Sequence, residues 1–261
     1  MTTVRAAKPS AAVRPCDSRI LHPKYLSGDY GGCDLLPACD GTDAAEDRSP
    51  QVCLDAGQAG DATAAACRLC RIGASTAIWD RVLWESENFR VVPSKGGFIA
   101  GWLMVVPRAH VLSMAHLSPI VYYELGQLVA DISVRLTDRF GPPTAFEHGA
   151  VTKNTPFGCG IDHAHLHLVP LPDDVPLRAL AEQALGKKFI VQPAAPTRAY
   201  LRVREPVDPT FCVLEPSIPP PRQFFRQLIW RARAWHVQSY DYDLAPCREQ
   251  VRATVAAVGR L

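Results

Sequence analysis

The chain is 261 residues long and 48% hydrophobic, enough for one domain of ordinary size with appendages or for two small domains. A formal charge of +2 with no Lys/Arg-rich run gives no support to a nucleic-acid backbone binder. Apolar runs are strand-sized pieces such as Leu103–Val106, too short to span a membrane. Nine cysteines, an odd number, without an apolar signal segment argue against a disulfide framework and for the cytoplasm.

Residues 1–62 read as a flexible leader. Small, polar and turn residues dominate, as in Ser27-Gly28-Asp29-Tyr30-Gly31-Gly32, and little there can bury enough surface to offset ordering entropy. Ile20–Leu26 is a stretch able to dock on a body. Cys16, Cys33, Cys39 and Cys53 fit no metal-ribbon spacing. Cys67 and Cys70 form a Cys-x-x-Cys pair, which suits either a metal or a redox couple.

Beyond Cys67 the pattern sharpens. Asp80–Glu85, Phe89–Val92 and Trp102–Val106 read as strands, with turns at Ser86-Glu87-Asn88 and Ser94-Lys95-Gly96-Gly97. Ser118 followed by Pro119 is a helix start: the hydroxyl can cap and proline suits the first helical position. Val121, Leu125, Leu128, Val129, Ile132 and Leu136 recur at helical spacing until Gly141-Pro142-Pro143 stops the helix. Thr144–Glu147 and His163–Val169 are two more strands. This order predicts an α+β domain over 63–175, an antiparallel sheet of about five strands with one long helix on a face. Residues 176–261 read as a C-terminal α/β extension packed on that domain. In it are expected helices at Leu177–Leu185 (ended by Gly186), Gln223–Trp235 and Arg248–Val258, and strands at Lys188–Gln192, Tyr200–Arg204 and Phe211–Leu214.

The densest chemistry lies in Asp162-His163-Ala164-His165-Leu166-His167-Leu168-Val169-Pro170. A strand has a side-chain period of two, so His163, His165 and His167 share one face and Ala164, Leu166 and Leu168 fill the other. Three imidazoles on one strand suit a metal or nucleophilic chemistry near neutral pH. The pattern His-φ-His-φ-His-φ-φ, with φ apolar, resembles the signature of the histidine-triad (HIT) family. Gly101-Trp102-Leu103-Met104-Val105-Val106-Pro107-Arg108-Ala109-His110 is similar to that family's Gly-x-φ-φ-φ-φ-Pro-basic-x-His strand. The resemblance covers roughly residues 67–172.

The resemblance implies a role for each histidine. His165, at the centre, is the position that attacks the α-phosphorus of a nucleotide and becomes a nucleotidyl-histidine. For that its other nitrogen must hold a proton and donate it to a fixed acceptor, such as a backbone carbonyl. His167 would contact phosphate oxygens and protonate the leaving group. The transferase branch typified by galactose-1-phosphate uridylyltransferase has glutamine there, so histidine favours hydrolysis. His163 would support the site. In zinc-bearing relatives it completes a tetrahedral site with a Cys-x-x-Cys pair and the upstream histidine, which implies Cys67, Cys70, His110 and His163 as ligands of a structural zinc. His116 is a rival ligand whose plainer reading is a surface histidine.

Nucleotide contacts are expected from Phe89 and Val92 on the stretch resembling a base-binding edge, and from Ser94 and Lys95 in the following loop. Gly149, Gly158 and Gly160 could offer backbone N–H groups to phosphate. Core, solvated-loop and turn duty are the plainer readings of these three groups. Glu147-His148-Gly149 and Cys159-Gly160 stand where many relatives have Asn-x-Gly and Gln-Ser/Thr, so contacts to ribose and leaving group do not carry over. Gln223-Phe224-Phe225-Arg226 resembles a Gln-Phe-x-Arg element of some larger HIT-like domains. Arg226 could then reach phosphate, its plainer reading being a surface arginine. The expected activity is hydrolysis at the α-phosphorus of a dinucleoside polyphosphate or nucleoside phosphoramidate. A nucleotidyltransferase of the uridylyltransferase or dinucleotide-phosphorylase type and a non-catalytic zinc-stabilised nucleotide-binding module stay open as alternatives. The partner is a nucleotide, not a nucleic acid or membrane, and a homodimer is left open.

Overall fold

The computed structural model describes residues 66–153, 161–191, 196–208, 210–233 and 240–259. The expected leader, Gly158 and Gly160 lie outside the described residues. Among the described residues, eight strands form one antiparallel sheet in the order β1-β2-β3-β5-β4-β7-β8-β6. They are β1 (Trp84–Glu85), β2 (Phe89–Pro93), β3 (Leu103–Pro107), β4 (Thr144–Gly149), β5 (Leu166–Val169), β6 (Ile190–Val191), β7 (Tyr200–Arg204) and β8 (Cys212–Leu214). The α+β class follows the expectation, but the strand count does not. The sheet does not stop at about five strands, because β7 pairs along β4 from Ala145–Arg204 to Gly149–Tyr200.

Helix α1 (Pro119–Phe140) begins as the sequence predicts. Ser118 Oγ accepts from the Val121 N–H at 3.4 Å, Pro119 follows, and Gly141 at φ 99° ends it. Its apolar stripe, Leu125, Leu128, Val129, Ile132 and Leu136, packs on one face of the sheet against Leu103, Val105, Ala145, Leu166 and Leu168. Helices α2 (Leu177–Leu185) and α3 (Phe224–Ala232) cover part of the other face, burying Leu177, Ala181, Phe225 and Ile229 against Trp102, Phe146 and Val203. Helix α4 (Arg248–Val258) returns to the α1 side through Val255. No helix among the described residues is long and apolar enough to cross a membrane.

Two strand expectations need correction. Of Asp80–Glu85 only Trp84 and Glu85 join the sheet: Asp80 ends a 3-10 turn at Ile78–Asp80, and residues 81–83 are irregular. The triad strand begins at Leu166 rather than His163. Before it, Ala164 N–H donates to the Val111 carbonyl at 2.7 Å, so the loop after β3 replaces a regular ladder there. The alternation nevertheless holds: Ala164, Leu166 and Leu168 belong to the α1-side core. The three histidines turn to the opposite face.

Candidate active site and metal cluster

Cys67, Cys70, His110 and His163 converge, their ligand atoms all within 4.8 Å of one another. Both sulfurs lie 3.4 Å from His163 Nδ1, and Cys70 Sγ lies 3.2 Å from His110 Nδ1. His163 Nε2 meets the Pro107 carbonyl at 2.8 Å. A carbonyl only accepts, so Nε2 carries the proton and the Nδ1 lone pair faces the sulfurs, the tautomer a metal ligand requires. Burial pushes the Cys70 thiol up to about 11, and Cys67 beside it adds to the rise. Two adjacent thiolates with imidazole lone pairs need a cation to coexist, so the set fits a metal ion. His116 stands apart, with Ser113 Oγ 2.9 Å from its Nδ1.

His165 and His167 are ring neighbours, 5.1 Å between centroids and nearly perpendicular. His165 Nδ1 lies 2.7 Å from the carbonyl of His163. The proton therefore sits on Nδ1 and the lone pair on Nε2. His167 is held in the opposite tautomer. The Trp102 indole N–H donates to its Nδ1 at 3.1 Å, which places the proton on Nε2. The ring stacks on Phe146 at 4.7 Å. Sheet register sets this arrangement, because Met104 and Phe146 flank His167 on the neighbouring strands. Burial drives the His167 pKa well below the ordinary value, and the Arg226 charge lowers it further. His167 is thus a neutral N–H donor at pH 7 in the ligand-free protein, rather than an imidazolium.

His165 and His167 open onto a cleft lined also by Arg68, Lys95, Met104, Ile161, Arg226 and Tyr242. Arg226 is buried, not a surface arginine. Its guanidinium donates to Ser94 Oγ, to Tyr240 Oη at 3.1 Å and to the Gly96 carbonyl at 3.3 Å, and it lies 4.7 Å from the Trp102 ring centre. These groups are neutral, so the charge stays available to an anion in the cleft. Gly96, at φ 66°, permits the approach: a Cβ there would meet the Tyr242 Cα at 2.9 Å. Lys95 Nζ donates to Asp243 Oδ1 at 2.9 Å and lies over Trp79.

Other expected contacts fall elsewhere. Phe89 is in the α1-side core, and Val92 packs with Leu69, Ile72, Met104 and Val106. Neither lines the cleft. Ser94 is fully buried beneath Arg226. Gly149 has a packing reason of its own, since a Cβ there would fall 2.1 Å from the Tyr200 ring. Glu147 points away from the cleft into a buried pair with Arg202, Nε to Oε2 at 2.6 Å, and accepts from the Tyr200 hydroxyl at 3.0 Å and the Met114 N–H at 2.8 Å. Arg68, Met104, Ile161 and Tyr242 in the cleft, and Trp102 and His148 beside it, went unassigned in the sequence. His148 shares the Phe146 face of β4, packs on Phe225 at 5.0 Å and has both ring nitrogens buried without a hydrogen-bond partner. Its departure from the Asn-x-Gly pattern was visible, but its environment depends on Phe225, far along the chain.

No protein-family model matches the chain, and no curated protein sequence does either. Solved structures do match. A zinc-bound histidine triad family protein from Mycobacterium smegmatis is 20% identical over 42% of this chain and 78% of its own, with a TM-score of 0.35. A HIT family protein from Bacillus anthracis is 20% identical over 40% and 72%, with a TM-score of 0.34. A hypothetical histidine triad nucleotide-binding protein from Sulfolobus tokodaii is 15% identical over 64% and 90%, with a TM-score of 0.33. These three solved structures carry the name of the family that the His163–His167 motif resembles.

Proposed function

We propose that the protein is a nucleotide hydrolase that cleaves at an α-phosphorus through a covalent nucleotidyl-His165. The observation that carries this reading is the His165 tautomer: with Nδ1–H held by the His163 carbonyl, Nε2 presents its lone pair in a cleft lined by cations. Nε2 forms the N–P bond as the bond from phosphorus to the leaving group breaks. The neutral Nε2–H of His167 donates a hydrogen bond to a phosphate or leaving-group oxygen, and Arg226 offsets charge that grows on the phosphoryl oxygens. Water then breaks the N–P bond, returning His165 and releasing a nucleoside monophosphate. Cys67, Cys70, His110 and His163 hold a structural zinc, which ties the Cys-x-x-Cys turn to the triad and takes no part in the transfer. A thiol-bearing metal cluster suits a reducing compartment such as the cytoplasm.

A second reading has an observation of its own. Trp102 holds His167 as a neutral donor of one N–H, the service a glutamine amide gives, which favours a nucleotidyltransferase with the same intermediate. One experiment separates the readings: incubation with nucleotides labelled at the α-phosphorus, with and without inorganic phosphate or a sugar phosphate. Label on His165 that water discharges supports hydrolysis. Discharge only onto an added acceptor means transfer. No label in wild type, with nucleotide still bound, refutes both and leaves a binding module.

A further inference from the structure

Arg68 stands between the two cysteines of the metal cluster and lines the cleft beside His165 and His167. The turn that carries it is closed by the Arg71 N–H, which meets the Cys67 and Arg68 carbonyls at 3.3 and 3.1 Å. Its neighbour Leu69 is sunk among Ile72, Val92, Met104 and Val106, so the turn is fixed from below and from both ends. The guanidinium reaches Asp80 Oδ1 at 3.4 Å through Nη2 only, and its side chain keeps 30% of its surface exposed. Asp80 is itself steadied by the Ser75 hydroxyl at 2.6 Å. A guanidinium has five N–H donors in a planar fork, and one long ion pair leaves most of that fork for another acceptor. A residue whose task was only to link two metal ligands would not need a long cation set into the lining of a cleft.

We propose that Arg68 is a second phosphate-binding residue of this cleft, carried there by the Cys-x-x-Cys turn, and that it grips phosphate on the group leaving from the α-phosphorus. The assignment deepens the nucleotide reading above and rests on it for the direction of the leaving group. Arg68 and Arg226 come to one cleft from separate elements, the turn and α3, so two phosphates of one anion can be held together. The substrate class this fits is one whose leaving group itself carries phosphate, rather than a bare amine or alcohol.

The test is calorimetric titration of the full-length zinc-loaded protein with inorganic pyrophosphate and, separately, orthophosphate. Arg68→Gln should weaken pyrophosphate about tenfold and orthophosphate by less than about threefold, since one charge-assisted fork is lost only where the second phosphate sits. Arg68→Lys keeps the charge, loses the fork and should recover only part of the affinity. Zinc content, read by elemental analysis, should stay at the wild-type value in both variants. Equal loss for the two anions, or no loss, overturns the proposal. If Arg68→Gln sheds zinc, Arg68→Lys decides alone: pyrophosphate affinity as in wild type overturns it, and a severalfold selective loss supports it. The titration needs no turnover, so a chain that never labels His165 would refute the hydrolase without touching this result.

Discussion

His165 donates its Nδ1 proton to the carbonyl of His163 at 2.7 Å, while the ring of His163 faces the sulfurs of Cys67 and Cys70 at 3.4 Å. One residue therefore orients the proposed nucleophile with its backbone and closes the candidate metal cluster with its side chain. Displacing the ring of His163 displaces the acceptor that sets the His165 tautomer.

The purified protein is expected to hold one zinc per chain. Cys67→Ser should lower both the zinc content and the midpoint of thermal unfolding, because the site joins the turn at residues 67–70 to the segment leading into β5, across nearly a hundred residues of chain. Elemental analysis and a melting curve check this. A Cys67→Ser protein as stable as wild type, alongside zinc-free wild type purified without chelators, contradicts it.

Trp102→Phe keeps the ring that packs against Phe98 and Phe146 and removes the N–H that fixes His167. With both tautomers of His167 accessible, kcat should fall roughly tenfold, the effect of one lost buried hydrogen bond, while KM stays near wild type. Steady-state kinetics on one nucleotide substrate decide it. An unchanged kcat would show that the tautomer of His167 does not matter to the chemistry.

Beneath the sheet, Glu147 and Arg202 form a buried pair on the α1 side. Arg202→Met strands the carboxylate and should cost about 3–5 kcal/mol of stability. Glu147→Gln with Arg202→Met removes both charges and should recover part of that cost, since the amide oxygen can still accept from the Met114 N–H while the amide NH2 donates to the Tyr200 hydroxyl oxygen. Urea unfolding of the two variants measures the difference. A double variant as unstable as the single one would show that the pair is not charged in the folded chain.

Acid should destabilise the fold in a defined window. Burial, joined by the charges of His165 and Arg226, lowers the His148 pKa from 6.5 to about 3. Between those values the unfolded chain binds a proton that the folded chain refuses. Stability is therefore complete above pH 6.5 and drops by about 1.4 kcal/mol per pH unit per proton as the solution is acidified. His167, shifted in the same direction, steepens the fall. His148→Gln should flatten it by one proton, as read from urea unfolding at pH 7, 6 and 5. An unaltered slope would mean that His148 is already exposed to solvent protons.

The elements legible in the sequence were those whose signals are local. Ser118, Pro119 and Gly141 bracket α1, Gly186 ends α2, and alternation alone sorted the histidines from Ala164, Leu166 and Leu168. The candidate metal ligands came from the motif, four residues of two types whose spacing resembles a family pattern. The residues around the cleft did not come out as well. Arg226 looked like a surface residue because its helix is amphipathic, and only the packing of α3 on Trp102 and the turn at residues 94–97 reveals it as buried. Phe89 and Val92 carry the apolarity of a base-binding wall, but apolarity does not say which core a side chain enters. Strand count failed for a related reason: nothing local to Tyr200–Arg204 says that its edge belongs to β4.

The union of β7 with β4 also bears on how the chain is made. During synthesis the triad leaves the ribosome with the turn at residues 94–97 still lacking its cover, since Arg226, Tyr240 and Tyr242 are about 130 residues or more downstream of it. Until β7 arrives, β4 presents an open edge, the kind of surface that pairs with another nascent chain. Closing so distant a contact is slow relative to forming α1. Maturation of the cleft is thus a late event, and nascent chains halted before residue 200 should be captured by chaperones as incomplete sheets.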